Sequence, residues 1–172
     1  CMPGYGYHAT KNSPDCKVKK PNDSGIYRID LNSGEEKLII NIEELASVNP
    51  VESMNGMTHF LTHTVISPDS NRFMFLHRWN DPSVDVDKRF SRLVVSDFEG
   101  IILDVFETDG MASHIGWQDN EHVIAYCRVP KFDDKYVKFK VGDSASTEII
   151  GMGVLNSDGH PSYDTSGRWV VT

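Results

Sequence analysis

Three segments of this chain align without gaps on a histidine, and this repeat constrains the fold more than any other feature. They are residues 63–75, 114–126 and 160–172, and they begin at His63, His114 and His160. In each segment a short apolar run follows the histidine, a polar turn begins four residues after it, and a second apolar run comes next. The histidines are 51 and 46 residues apart. A strand-based repeat of about 40–50 residues is typical of the blades of a β-propeller.

A propeller blade is a sheet of four antiparallel strands whose innermost strand lines a central channel. The sequence therefore predicts an all-β propeller fragment of about three blades, with the first and last incomplete. We place outer strands of one blade at 25–42, with residues 3–7 as a candidate for its inner part, and a helical turn at 42–46. Complete blades are predicted at 58–107 and 111–150, and the start of another at 160–172. An unrelated β-sandwich with evenly spaced hairpins is the alternative, but it does not require histidine at equivalent points of three hairpins.

Composition limits the class of partner. The formal net charge is −8, with 17 basic and 25 acidic residues, which argues against a nucleic-acid partner because phosphate binding needs a cationic stripe. No run approaches the roughly 18 apolar residues of a membrane span, and no signal peptide is visible, so we predict no membrane partner and leave the compartment open. The chain begins at Cys1 and ends within an apolar run, which we interpret as a piece of a longer protein.

The cysteines indicate neither a disulfide framework nor a zinc site. Their number is odd, and no Cys-x-x-Cys or finger spacing is present. Cys127 lies in an apolar run and is interpreted as a small core residue. One bridge between Cys1 and Cys16 stays open as a possibility.

The three aligned histidines are the main candidates for function. Equivalent positions of successive inner strands lie at equivalent points around the propeller axis, so His63, His114 and His160 are expected to converge at one end of the channel. Three imidazoles on a rigid scaffold suit a divalent metal, an anionic ligand or proton transfer. The structural alternative is that each ring caps its strand by bonding the backbone of the neighbouring blade.

Cationic side chains at strand ends are weaker candidates. His77 and Arg78 end the second strand of one blade, and Arg128 occupies the position equivalent to His77 in the next. A cation there is expected near the channel mouth, where it would hold a carboxylate. Pairing of Arg78 and Arg128 with nearby acids such as Asp81 or Asp133 is the alternative. Asp158, which precedes a glycine and His160, is interpreted as part of a tight turn between blades.

The motifs resemble those of bacterial proteins built from Ser-Pro-Asp-Gly propeller repeats, and among them most of all oligogalacturonate lyases. The resemblance covers residues 58–172 and is carried by the segments 62–68, 75–79, 113–114 and 159–169. Such lyases have a propeller whose channel mouth holds a manganese ion and a basic residue, and they cleave short uronate oligomers by β-elimination. The metal stabilises charge on the uronate carboxylate while a base removes the proton α to it.

Carried onto this sequence, the resemblance implies that His114 and His160 are metal ligands and that His63, or else His77, is the base. Arg78 and Arg128 would bind the substrate. The family's last blade normally reads Gln, two residues, His, one residue, His. Here serine replaces both the Gln and the second His, at positions 157 and 162.

Three functional hypotheses follow. The first is a lyase-like enzyme that acts on acidic oligosaccharides, and the second is a non-catalytic propeller that binds a glycan or protein partner. The third is the gating propeller of a prolyl-oligopeptidase-type protease. No nucleophile elbow, phosphate loop, dinucleotide fingerprint or His-Glu-x-x-His motif is present to favour another chemistry. Open sheet edges of a fragment also predict self-association.

Overall fold

Short runs with alternating apolar and polar residues, separated by Asp-, Asn- and Gly-containing turns, form the strands of this protein. The computed structural model describes residues 18–81, 83, 88–130 and 132–172. Within these residues 51% are in strands and 6% in helices, so the prediction of an all-β fold is confirmed. The predicted strand at 3–7 and the possible Cys1–Cys16 bridge lie outside the described residues.

The strands form four antiparallel sheets whose members follow one another in chain order, and none of these sheets is closed on itself. A hairpin of β1 and β2 is followed by the four-stranded sheets β3–β6 and β7–β10 and by the short pair β11–β12. The strand bounds are β1 Gly25–Ile29, β2 Glu36–Asn41, β3 Thr58–Ile66, β4 Arg72–Asn80, β5 Arg89–Asp97, β6 Ile102–Phe106, β7 Ala112–Trp117, β8 His122–Val129, β9 Asp133–Lys140, β10 Asp143–Ile149, β11 Ser162–Tyr163 and β12 Val170–Val171.

Among the residues that the structure describes, helical structure is confined to the connection between β2 and β3. The helix α1 covers Ile42–Ser47, as the sequence predicted, and a 3₁₀ turn covers Glu52–Met54. Asn41 caps α1, since its side chain accepts a hydrogen bond from the backbone N–H of Glu44. No helix in the described part of the chain has the length and apolar character needed to cross a bilayer.

The chain divides into two compact units. The first comprises residues 1–61 and 78–90, and the second comprises residues 62–77 and 91–172. In the first unit, Trp79 is buried, lies 6.0 Å from the ring of Phe90 and donates a hydrogen bond to Ser53 Oγ at 3.2 Å. The three aligned histidines belong to the second unit.

The core of the second unit lies between the strands of β3–β6 and β7–β10. Successive strand residues point to opposite faces, so Met74 and Leu76 of β4 share one face, which packs with alternate residues of the next sheet. The rings of Phe106 and Phe139 meet there at 4.8 Å. Each large side chain buried in this way contributes about 1.5–3 kcal/mol of stabilisation. The cluster comprises Met74, Leu76, Leu93, Val95, Phe106, Ala112, Ile115, Trp117, Val123, Ala125, Cys127, Val137 and Phe139.

Hydrogen bonds between turns and strands also connect successive sheets of this unit. Trp117 Nε1 donates to the carbonyl of Val65 at 3.0 Å, and Gln118 Nε2 donates to the carbonyl of Gly167 at 3.0 Å. Gly116 allows the closest approach, because a Cβ at this position would lie 2.7 Å from the carbonyl oxygen of Pro161. Side-chain size at residue 116 therefore limits how closely the segment that follows His160 can pack.

Candidate functional site

The structure brings the three aligned histidines together. His63 lies in β3, His114 in β7, and His160 just before β11. The ring centroids of His63 and His114 are 6.1 Å apart with an edge-on arrangement of 89°, and those of His114 and His160 are 4.1 Å apart at 56°. The rings therefore lie close together and form a row with His114 in the middle. Their expected position at the mouth of a propeller channel stays a prediction. We call these three residues the histidine row.

Irregular backbone positions two members of the histidine row. His63 has a φ of 60°, in the left-handed region that non-glycine residues adopt at a cost of roughly 1–3 kcal/mol. His114 lies where the pairing register of β7 and β8 shifts, between Ala112 and Ile115. In a regular strand, successive side chains alternate between the two faces, and a register shift changes the direction in which they point. Local departures from regular strand geometry therefore accompany the meeting of the rings.

Asp158 is a hydrogen-bond partner of His114, the central ring of the row. Its Oδ1 accepts from His114 Nδ1 at 2.8 Å and from the backbone N–H of Gly159 at 3.0 Å. Its Oδ2 accepts from the hydroxyl of Ser113 at 2.7 Å. An ionised carboxylate only accepts, so this contact requires the His114 proton to be on Nδ1. The side chains of His114 and Asp158 are 25% and 37% exposed, which leaves the pair accessible to a solute.

Two tyrosines border the segment that carries Asp158 and His160. The buried Tyr136 donates to the carbonyl of Gly159 at 3.0 Å, and its hydroxyl oxygen lies 2.5 Å from that of Thr172. Its ring meets that of Tyr126 edge-on at 5.1 Å. Burial raises the pKa of Tyr126, and the nearby carboxylates of Asp134 and Asp158 raise it further. Tyr126 therefore stays neutral near Asp158, while Tyr136 fixes the backbone next to His160.

His77, the second candidate for the base, occupies a different environment. It is fully buried, and its Nδ1 accepts a hydrogen bond from Arg92 Nε at 3.1 Å. Burial lowers the pKa of Arg92 to about 10, although the charge of Glu107 opposes this shift. Because Arg92 stays protonated at neutral pH, the ring of His77 serves it as a neutral acceptor.

The two predicted substrate-binding arginines are placed separately. Arg78 is buried in the first unit, whereas Arg128 is exposed at the end of β8 in the second. Arg128 Nε lies 3.1 Å from Asp134 Oδ1, so the alternative of pairing with a nearby acid holds here, with Asp134 in place of Asp133. The reason is the antiparallel register, in which Arg128 lies directly opposite Asp134.

The geometry of the side chains bears on the expectation of a bound metal. Within residues 18–81, 83, 88–130 and 132–172, no group of three or more His, Cys, Asp or Glu side chains is arranged to hold a metal ion. His114 already directs Nδ1 at Asp158, and serine stands at positions 157 and 162. The side chains as placed do not fit a manganese centre, and the metal role of His114 and His160 stays a prediction.

Sequence reasoning missed two residues of these environments. Asp158 was interpreted as part of a turn, and Arg92 was not singled out. The Asp-Gly-His sequence at 158–160 contains a signal for the first, since a carboxylate beside a histidine-bearing segment is a frequent imidazole partner. Arg92 gave no such signal, because its contact with His77 depends on the register of β4 and β5.

Comparisons with known proteins add no relative to this description. No protein-family model matches the chain, and neither the curated proteins nor the solved structures give a match.

Proposed function

We propose that the second unit consists of consecutive blades of a β-propeller. The support is architectural: two four-stranded antiparallel sheets with the same strand order pack face to face, and the pair β11–β12 follows them. Equivalent turns bond across successive sheets, as in the contact of Gln118 with Gly167. Repeated sheets joined in this way are typical of radial β architectures.

We further propose that the histidine row binds the carboxylate of an acidic oligosaccharide of the uronate type, the ligand class on which the oligogalacturonate lyases act. The observation that carries this proposal is the contact of three imidazoles, two from successive sheets and one from the segment before β11, with ring centroids 6.1 and 4.1 Å apart. Imidazole N–H groups bind carboxylates through charge-assisted hydrogen bonds when the ring is protonated. His160 is exposed and His63 and His114 are half-buried, so a ligand reaches them from solvent.

Asp158 does not cancel this attraction for an anion. Its two oxygens already accept from Ser113, His114 and Gly159, so its negative charge is met by donors within the site. The carboxylate instead orients the His114 ring through its contact with Nδ1. Repulsion by Asp158 is therefore the smaller effect.

The chemistry proposed for this site is β-elimination. A histidine of the row accepts the proton from the carbon next to the sugar carboxylate, the other imidazoles bind that carboxylate, and the glycosidic C–O bond at the neighbouring carbon breaks. His63 is the base that the family resemblance implies. Because the side chains do not fit a manganese centre, no step is assigned to a metal.

The test uses the full chain with oligogalacturonate as ligand. We expect binding in calorimetry and growth of the ultraviolet absorbance of an unsaturated uronate product, and we expect His63→Ala and His160→Ala each to weaken binding about tenfold or more. His122→Ala is the matched control, since His122 also contacts an aspartate but lies outside the row. Binding without product would identify a non-catalytic glycan-binding module. Absence of binding in the unmodified chain would contradict the proposal.

A further inference from the structure

The contact between Asp158 and His114 resembles the aspartate–imidazole pairs that set the tautomer of functional histidines. Its Nδ1–Oδ1 distance is 2.8 Å, and the carboxylate is itself held by Ser113 and by the backbone N–H of Gly159. Gly159 is fixed in turn through its carbonyl, which accepts from Tyr136. A carboxylate held at several points orients the ring that it bonds, and a loosely held one does not.

We infer that Asp158 is a positioning residue, which keeps the neutral His114 ring protonated on Nδ1 and so makes Nε2 its proton-accepting nitrogen. Most neutral histidines have no such constraint, because either nitrogen can carry the proton. The inference deepens the proposed function and depends on it for the reaction step alone, since the tautomer is a property of the free protein. It assigns proton abstraction to His114, in the middle of the row, instead of to His63, the base that the resemblance implies. His63 and His160, on either side, then bind the carboxylate.

The reaction step balances without a further reactant. Nε2 of His114 accepts the proton from the carbon next to the sugar carboxylate, and the electron pair of that C–H bond forms the new C=C bond. The C–O bond at the adjacent carbon breaks, and the departing oxygen takes a proton from solvent water. His114 later returns its proton to solvent, which restores the starting tautomer.

Asp119 and His122 provide an internal control for the contact. His122 Nδ1 lies 2.9 Å from Asp119 Oδ1 and 3.0 Å from Oδ2, so the same pair of side chains meets at comparable distance. His122, however, has no ring contact with a second histidine among the described residues. A change in the tautomer of His114 or in turnover should therefore result from substitution of Asp158 and not from substitution of Asp119.

The experiment is a measurement of long-range ¹H–¹⁵N correlations of the histidine rings in the full chain, at about pH 8, where a free imidazole is neutral. We expect His114 to show a protonated Nδ1 and an unprotonated Nε2. In Asp158→Ala this pattern should give way to the mixed or Nε2-protonated form. Asp158→Asn should keep it, because the side-chain oxygen stays bonded to Gly159 and still accepts from Nδ1.

Turnover separates this inference from the proposed function. With oligogalacturonate, Asp158→Ala should lower kcat about 10–100-fold with little change in KM, whereas Asp119→Asn should change neither. An Nε2-protonated His114 in the unmodified chain, or an unchanged ring pattern in Asp158→Ala, would overturn the inference. If the tautomer of His114 changes in Asp158→Ala but the unmodified chain forms no product, the proposed β-elimination is wrong and the positioning role of Asp158 stands.

Discussion

Two histidine environments in the second unit show how burial separates a structural imidazole from a candidate functional one. His77 is fully buried and accepts a hydrogen bond from Arg92. The histidine row is half-buried to exposed, and its central ring bonds an aspartate that is 37% exposed. An arginine partner holds His77 as a neutral acceptor, whereas an aspartate partner holds His114 as a donor. The partner and the access to solvent therefore distinguish the two environments, although the sequence presents histidine in both.

The largest difference is expected between the reactivity of the core thiol of Cys127 and that of a cysteine introduced into the histidine row. Burial raises the pKa of Cys127 to about 12, and the charge of Asp134 adds to the shift. From the usual value of 9.0, this lowers the thiolate fraction about 1000-fold. With Cys1 and Cys16 replaced by serine, Cys127 should react with a disulfide reagent at least that much more slowly in the native protein than in urea.

The matched comparison is His160→Cys combined with Cys127→Ser. That thiol should react within a few-fold of a free cysteine, because residue 160 is exposed. Equal native rates at positions 127 and 160 would remove the distinction between core and row.

Loss of His77 should destabilise the fold far more than loss of a row member. His77→Ala leaves a cavity and removes one hydrogen-bond acceptor of the buried Arg92, so we expect the free energy of unfolding in urea to fall by about 3 kcal/mol. His160→Ala should change it by less than about 0.5 kcal/mol, as substitutions at exposed positions usually do. The reverse order of the two losses would refute the assignment of His77 as structural.

Gly116→Ala should affect the row through packing. The added methyl group would lie 2.7 Å from the carbonyl oxygen of Pro161, so the segment after His160 has to move. We expect about 1–3 kcal/mol of destabilisation in urea unfolding, the usual cost of overpacking. The ring resonances of His160 should shift as well, while those of His77 stay in place. Unchanged stability in this variant would mean that the two segments do not approach as closely as described.

The smallest change in stability is expected on substitution of the aspartates in two equivalent turns. Hydrogen bonds from Ser67 and Ser166 lower the pKa values of Asp69 and Asp164 below 3.8. A carboxyl group with a lowered pKa in the folded state stabilises it above the unfolded pKa, and this contribution is lost as the pH falls through the folded value. Asp69→Asn and Asp164→Asn should therefore be slightly less stable than the parent at about pH 6 and equal to it at about pH 2. A difference that grows on acidification would contradict this sign.

The repeat made part of this arrangement predictable from the sequence. Equivalent positions of successive hairpins meet when their sheets stack, so the alignment of His63, His114 and His160 predicted that the rings would converge. Asp158 could not be found in this way, because Leu61 and Ala112 occupy the corresponding positions two residues before the other histidines. A residue present in one repeat alone leaves no periodic signal.

Predictions at strand ends depended on a register that the repeat does not specify. Arg128 was expected to bind a carboxylate ligand or a nearby acid, and the antiparallel pairing of β8 with β9 places it opposite Asp134. The contact of His77 with Arg92 likewise requires knowledge of which residues face each other in β4 and β5. Alternation gives the face of a strand on which a side chain lies, but not its partner across the sheet.

The central claim is that the histidine row is one binding site for an acidic sugar. The most direct measurement is a titration of the ¹⁵N-labelled full chain with digalacturonate, with the imidazole resonances of every histidine followed separately. The account predicts that His63, His114 and His160 shift together along one saturation curve, while His77 and His122 do not respond. Shifts confined to His77 or His122, or no shift at any member of the row, would contradict it.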